Sequence, residues 1–506
     1  MKTHRFRRGA AITAATALAF GIGLPAQADN GTNTSALRDA VTAENIFGHL
    51  QALQDVADAN GGNRAAGTPG YEASAQYIEA QLRSAGYAPV RQSFSYERFV
   101  LNSAEFEQVA PTPTDYTEEQ DFLGMDYSGS DDVIAPVTAV DINLTGDRAS
   151  TSGCETADFA GFPAGNIALI QRGTCDFALK VSNAAAAGAV GVVLFNQGNG
   201  GTADRLDLFG GTLGTLQDIP AVTTSFDLGA ELAGTDGLEV RIAVDAEIVQ
   251  TETFNILADT AGRADRTVVV GAHLDSVPEG PGINDNGSGS AAILETALQI
   301  AASGDEPRNR VRFAFWGGEE DGLLGSEHYV SKLTKKDIKN HALNLNFDMV
   351  GSPNAVRFVY DGDGDPLGLA GPNGSANIER IFEDYFASQG LATEPTDFDG
   401  RSDYFAFINN GIPAGGLFTG AEGEKTAEQA AIYGGTVGAP FDPCYHQACD
   451  TVDNVDPVVL EQMADAIAHA TLTFAETTSA VNGTAKGNGK GSGNGKMEFK
   501  GHQAIR

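Results

Sequence analysis

The stretch Thr267-Val268-Val269-Val270-Gly271-Ala272-His273-Leu274-Asp275-Ser276, with the loop Gly280-Pro281-Gly282-Ile283-Asn284-Asp285-Asn286-Gly287-Ser288-Gly289 behind it, decides how the rest of the chain is read. A short apolar run rich in valine and bounded by glycine reads as a strand buried on both faces, as in a parallel sheet. It ends on a histidine. The glycines after it let the loop fold back tightly, so that Asp285 can reach the same place. Asp275 is placed to hold the His273 imidazole in one tautomer.

Downstream, strand and helix patterns alternate. Strand runs fall at 268–272, 311–316, 343–347, 356–360 and 413–417, and helical runs at 288–302, 326–333, 377–388 and 459–473. This alternation predicts a mostly parallel sheet covered on both faces, in which ligands gather at the carboxyl ends of the strands. His273 follows the first strand, Glu319 and Glu320 the second, and Asp348 the third. A lone histidine after a strand is ordinarily structural, and His49, His328, His341 and His469 are read that way. A Glu-Glu pair is ordinarily an exposed acidic turn. Here it follows an apolar strand ending in Trp316-Gly317-Gly318, where a solvated charge is not the default. Two histidines, His273 and His446, with several carboxylates and no cysteine make a hard nitrogen and oxygen set. That set suits hydrolytic zinc and not a structural zinc. Adjacent side chains diverge, so one glutamate can bind metal while the other serves as general base.

Upstream, residues 42–86 are helical in pattern, with Asn60-Gly61-Gly62 ending the first helix and Gly86 the second, and residues 90–100 alternate like a strand. Residues 110–245 change character: short β-type runs surround one alanine-rich helix at 177–187, and the earlier logic resumes at 254–258. This reads as an inserted α/β module. Residues 478–506 are rich in Gly, Asn and Lys and read as a flexible tail.

The chain has 506 residues, with 67 acidic against 32 basic side chains and a formal charge of −35. Such an excess argues against nucleic acid and anionic membranes as partners. Lys2, Arg5, Arg7 and Arg8, an apolar run over 10–24 and Ala26-Gln27-Ala28 read as an export signal over residues 1–28. Its removal takes four positive charges and leaves −39. Export favours disulfides among Cys154, Cys175, Cys444 and Cys449. Of the three pairings, Cys154–Cys175 with Cys444–Cys449 is expected, because each pair then lies in its own domain. The second bridge would pin the loop carrying His446.

The runs His273-Leu274-Asp275-Ser276, Asn284 to Gly289, Trp316 to Ser326, Asn346-Phe347-Asp348-Met349 and Cys444-Tyr445-His446 resemble the co-catalytic dizinc aminopeptidases, above all the secreted bacterial leucine aminopeptidases. The likeness takes in Gly61-Gly62-Asn63-Arg64. Residues 167–177 and 184–196 resemble the protease-associated domain that interrupts such peptidases. The resemblance implies a three-layer α/β/α sandwich around a mostly parallel mixed sheet, with the inserted protease-associated domain. The domain boundaries are read as 1–28 signal, 36–109 with 250–478 catalytic, 110–249 insert and 479–506 tail.

The resemblance also implies roles. Asp285 would bridge two zinc ions, His273 and Asp348 would complete one, and Glu320 with His446 the other. Glu319 would be the general base and then the acid for the leaving amine. Tyr445 would donate to the developing oxyanion, Arg401 would hold the peptide, and Met349 and Phe418 would line an apolar pocket for the first side chain. A cis peptide is expected at Asp285–Asn286. Asn286 and Tyr404 stand where relatives often carry Asp and His. The relatives' calcium site would map near Glu461 and Asp465, with its N-terminal Asp not cleanly matched. The function so implied is a secreted, monomeric enzyme that hydrolyses the first peptide bond of peptides with a free N-terminus and prefers large apolar residues such as Leu. Its rivals are a carboxypeptidase or glutaminyl cyclase on the same scaffold, and a binding protein that has lost its metals.

Overall fold

The computed structural model describes residues 31–200, 203–304 and 306–482; the expected export signal and most of the expected tail lie outside them. Four parallel strands form the centre of the catalytic sheet, in the order Asn309–Trp316, Arg263–His273, His341–Phe347 and Ala414–Phe418. Phe358–Tyr360 and the edge strand Glu394–Thr396 extend it on one side. Val268, Val269, Val270, Val311, Phe313, Leu343 and Leu345 are fully buried, as a sheet covered on both faces requires.

One face carries the helices Ala43–Ala59, Gly289–Ser303, Ser375–Ser388 and Pro457–Glu476, packed with Pro69–Ser84 into a single core. These helices begin where the chemistry allows. Thr42 and Thr68 accept hydrogen bonds from the N–H groups of Asn45 and Tyr71, and Pro69 and Pro457 occupy first-turn positions. The first ends at Asn60, where Gly61 and Gly62 take φ of 86° and 87°. On the other face Trp316 packs against Tyr329 and Phe407 from the short helices Leu324–Ser331 and Tyr404–Asn409. The expected three layers are therefore present.

The strand expected at 90–100 runs on to Ala110, and its partner is equally long: Val90–Ala110 and Glu239–Asp259 form an antiparallel ribbon from Val90 opposite Leu257 to Ala110 opposite Glu239, with register shifts between Leu101 and Ser103 and between Gln108 and Ala110. One end of Glu239–Asp259 pairs with Asn309–Trp316 and the other with Asp131–Val140, so this strand joins the two halves into one continuous 14-stranded sheet. Asp131–Val140, Ile167–Gln171, Gly191–Phe195 and Ala221–Thr224 are parallel, with helices Phe177–Ala186 and Phe226–Ala233 contributing to two further cores. The Cys154–Cys175 and Cys444–Cys449 disulfides pair as expected. Packing continues past the expected start of the tail: Ser479–Asn482 is a short helix whose Val481 joins the main core. Among the described residues no helix is long and apolar enough to cross a membrane.

Candidate metal centre

His273 is the last residue of its strand, and the Ser290 hydroxyl donates to its carbonyl at 2.6 Å. Its Nδ1 faces the main-chain carbonyl of Asp275 at 3.2 Å, while the Asp275 carboxylate lies at 3.8 Å. The backbone, rather than the expected carboxylate, orients the ring. The carboxylate instead accepts the N–H groups of Glu319 and Glu320 at 3.3 and 3.2 Å, fixing the turn that follows Asn309–Trp316. Gly318 enters that turn at φ 76°, a conformation open to glycine.

The Asp285 loop is held from beneath. The N–H groups of Asn284 and Asp285 both donate to the Asp450 carboxylate at 2.9 Å. Fully buried Arg64 donates to the carbonyls of Leu274, Pro281 and Gly282. Burial lowers its pKa to about 10, against the pull of Asp275, Asp450, Asp285 and Glu320. The Asp285–Asn286 peptide is cis, as expected. Asn286 donates to the Phe347 carbonyl at 2.9 Å and accepts from Met349 N–H at 3.2 Å. Its amide thus ties the loop to the strand end bearing Asp348, and an aspartate there could not make the first of those bonds.

Asp348 follows His341–Phe347 and receives the Ser402 hydroxyl at 2.6 Å. His446, at φ 57°, sits in the loop closed by Cys444–Cys449, stacked on Tyr445 with ring centroids 3.8 Å apart. Tyr404 donates to Asp399 and accepts from Gly400 N–H, both at 2.9 Å, which steadies the loop carrying Arg401. Arg401 pairs with Glu422 at 2.5 Å and donates to the Tyr445 hydroxyl at 3.3 Å.

The five expected ligands converge. Asp285 Oδ1 lies 3.2 Å from His273 Nε2, and its Oδ2 lies 3.2 Å from His446 Nε2. His273 Nε2 is 3.3 Å from Asp348 Oδ1, and His446 Nε2 is 3.1 Å from Glu320 Oε2. Glu319 Oε2 stands further out, at 3.7 Å from His273. Zinc binds N and O donors at about 2.0–2.1 Å in tetrahedra, whose edges are then about 3.3 Å. The observed separations match those edges twice over, once on each side of Asp285. Glu320 has His446 as its close basic partner, and its burial beside Asp285 and Glu319 suits a shared cation.

The electrostatics agree. Burial, then the neighbouring Asp348, Glu320 and Asp285 charges, drive Glu319 far above the usual carboxylate range despite His273; burial and Asp285 also raise Glu320. Asp285 is pushed the other way: burial opposes its charge, but hydrogen bonds from His273 and His446 hold its pKa low. So much buried carboxylate fits divalent cations. Burial, reinforced by Asp285, keeps the Tyr445 hydroxyl protonated.

A cavity opens onto His273, Asp285, Glu319 and Asp348. Met349, Tyr360, Phe418, Arg401 and Tyr445 line it, so Met349 and Phe418 share one cavity with the metal-type residues. The sequence reading missed Asp450 and Ser402 and left Arg64 without a role; no local pattern marks them. Near the mapped calcium position, Glu461 accepts the Ala43 N–H and Asp465 faces Arg38 at 3.9 Å. His49, His341 and His469 have protein partners in Glu295, Tyr329 and Thr34.

This fold and centre define a metal-dependent hydrolase. Residues 255–471 match the model of Peptidase family M28 and residues 133–232 that of the PA domain. An aminopeptidase of Pseudomonas aeruginosa is 49% identical over 444 residues, 87% of this chain and 82% of that protein. Leucine aminopeptidase 2 of Arthroderma otae is 36% identical over 457 residues, 88% of this chain and 86% of its own length. Among solved structures, the aminopeptidase from Aneurinibacillus sp. strain AM-1 is similar with a TM-score of 0.67 at 28% identity, covering 87% of this chain and 95% of that one. The zinc aminopeptidase from Bacillus subtilis gives 0.61 at 25%, covering 85% and 94%. The chain belongs to peptidase family M28, as a zinc aminopeptidase that hydrolyses peptide bonds and carries an inserted PA domain.

Proposed function

We propose that this aminopeptidase is exported, holds two zinc ions, and removes large apolar residues such as Leu from peptides with a free N-terminus. The observation that carries the two-ion reading is that the two oxygens of Asp285 face different histidines at equal distance. His273 and Asp348 would hold one ion with Asp285, and Glu320 and His446 the other. Bound there, zinc supplies Lewis acidity and lowers the pKa of a water from about 15.7 towards 7.

The side chains do the rest. Glu319 takes the proton of the attacking water and returns it to the leaving amine. Tyr445, its hydroxyl held by Arg401 at 3.3 Å, donates to the oxyanion as it forms. Met349, Tyr360 and Phe418 offer apolar surface to the first side chain, in keeping with the leucine aminopeptidases among the relatives. Two disulfides support an oxidising destination, as the signal-like residues 1–28 require.

The test is a panel of chromogenic amino-acid amides, with bound zinc measured beside it. Free-amine Leu and Phe amides should turn over, N-acetylated ones should not, and a chelator should abolish the activity. Turnover of N-acetylated peptides alone would point to another enzyme of this scaffold, and one zinc per chain at full activity would sink the two-ion reading.

A further inference from the structure

The turn bearing Glu319 and Glu320 is gripped from two sides. On one side the Asp275 carboxylate takes both N–H groups at 3.3 and 3.2 Å, bonds longer than the usual 2.9–3.0 Å. On the other side the next residue, Asp321, accepts the Tyr96 hydroxyl and lies 3.3 Å from Arg98 Nε. Tyr96 and Arg98 belong to Val90–Ala110, the strand that leads into the PA domain. Their neighbours tie the ribbon both ways. Phe94 stacks on His328 of the helix after the turn, with centroids 4.7 Å apart, and Phe99 stacks on Tyr127 of the insert at 5.1 Å. A continuous line of contacts thus runs from the inserted domain, through the ribbon, to the turn bearing the base.

We propose that Tyr96 and Arg98 are positioning residues for hydrolysis: by gripping Asp321 they hold the Glu319–Glu320 turn against the ribbon, and this local grip sets the turnover rate. The inference rests on the roles given above to Glu319 and Glu320. Neither residue reaches the cavity lining, so they act on rate through the placement of the base and not through contact with the peptide. A misplacement of about 1 Å at a reacting group lowers rate on the order of 10²-fold, so loosening one of two anchors is expected to lower kcat by about tenfold.

The experiment uses the full chain loaded with zinc and a chromogenic leucine amide. Arg98→Ala, Tyr96→Phe and Asp321→Asn should each lower kcat by about tenfold and leave KM within about twofold, with bound zinc unchanged. Arg98→Lys should recover part of the rate. In metal-free protein, amide hydrogen exchange over residues 319–324 should speed up by about tenfold in Arg98→Ala. Arg241→Ala is the control: its pairs with Glu105, Glu107 and Asp132 lie at the far end of the ribbon, and it should keep the wild-type kcat. Wild-type kcat and exchange in Arg98→Ala and Asp321→Asn would overturn the inference while leaving the peptidase reading intact, as would an equal loss in Arg241→Ala. A wild-type chain inert towards every free-amine amide would overturn both.

Discussion

Glu319 and Glu320 are adjacent in sequence yet part in space: Glu320 approaches His446 at 3.1 Å, while Glu319 stands 3.7 Å from His273. Glu319→Ala should therefore keep its zinc, measured by metal analysis, and lose turnover by about 10²–10⁴-fold. Zinc lost with the activity would mean the two roles are exchanged. Arg64 poses a different problem, since it touches no ligand. Its guanidinium serves three buried carbonyls from different points of the His273–Asp285 loop. Arg64→Ala would leave those acceptors dry, at about 1–3 kcal/mol for each group left unsatisfied. A clear fall in the urea midpoint is expected, and Arg64→Lys should not restore it, because a point charge cannot span the fan. An unchanged midpoint would show that water replaces the side chain.

Two elements make their own contributions. The loop closed by Cys444–Cys449 carries Tyr445 and His446 and ends on Asp450, which anchors the Asp285 loop. Replacing both cysteines by serine removes about 2 kcal/mol of loop constraint in the chain-entropy account, and half-maximal zinc loss should then need less chelator. In the insert, Lys180 of Phe177–Ala186 is fully buried, with its ammonium on the carbonyls of Ser152 and Gln171. Burial lowers its pKa from an ordinary 10.5 to about 8. The unfolded chain then holds this proton more tightly than the folded one between pH 8 and 10.5, so the penalty is full below 8 and relieved as pH rises. Melts of the wild type should show stability climbing across that window from this group, and Lys180→Met should flatten the slope. A slope unchanged in the variant would assign it to other groups.

At the scale of the whole molecule, one strand, Glu239–Asp259, links the catalytic and inserted halves of a continuous sheet, and the chain can be cut where the ribbon leaves the catalytic half. Val100 faces Glu247 in the register, so an Asn-Gly turn between them would replace residues 101–246 and spare Tyr96 and Arg98. This shortened chain should bind zinc and hydrolyse a small leucine amide at a reduced rate; a folded but inert product would mean that the inserted domain completes the site.

The alternation of strand and helix after Thr267, the strand ends that carry the candidate ligands, and the residue types gathered there were all legible in the chain, because each depends on neighbours a few positions apart. The edge strand Glu394–Thr396 and the full length of Val90–Ala110 were not, since short or solvent-facing strands are defined by their partners rather than by their own pattern. Nor was the service of Asp450, Ser402 and Arg64, whose hydrogen bonds span 54 to 218 positions. By itself the amino-acid order determined which atoms could bind a hard cation and that they would gather at one edge of a sheet. Only tertiary packing decided that Asp285 turns one oxygen to each histidine, that a backbone carbonyl rather than Asp275's carboxylate steers His273, and that Tyr96 and Arg98 of the ribbon meet Asp321 beside Glu320. Ligand geometry is a matter of tenths of an ångström between distant segments, and it is settled by sheet register and buried hydrogen bonds, which no local sequence pattern encodes.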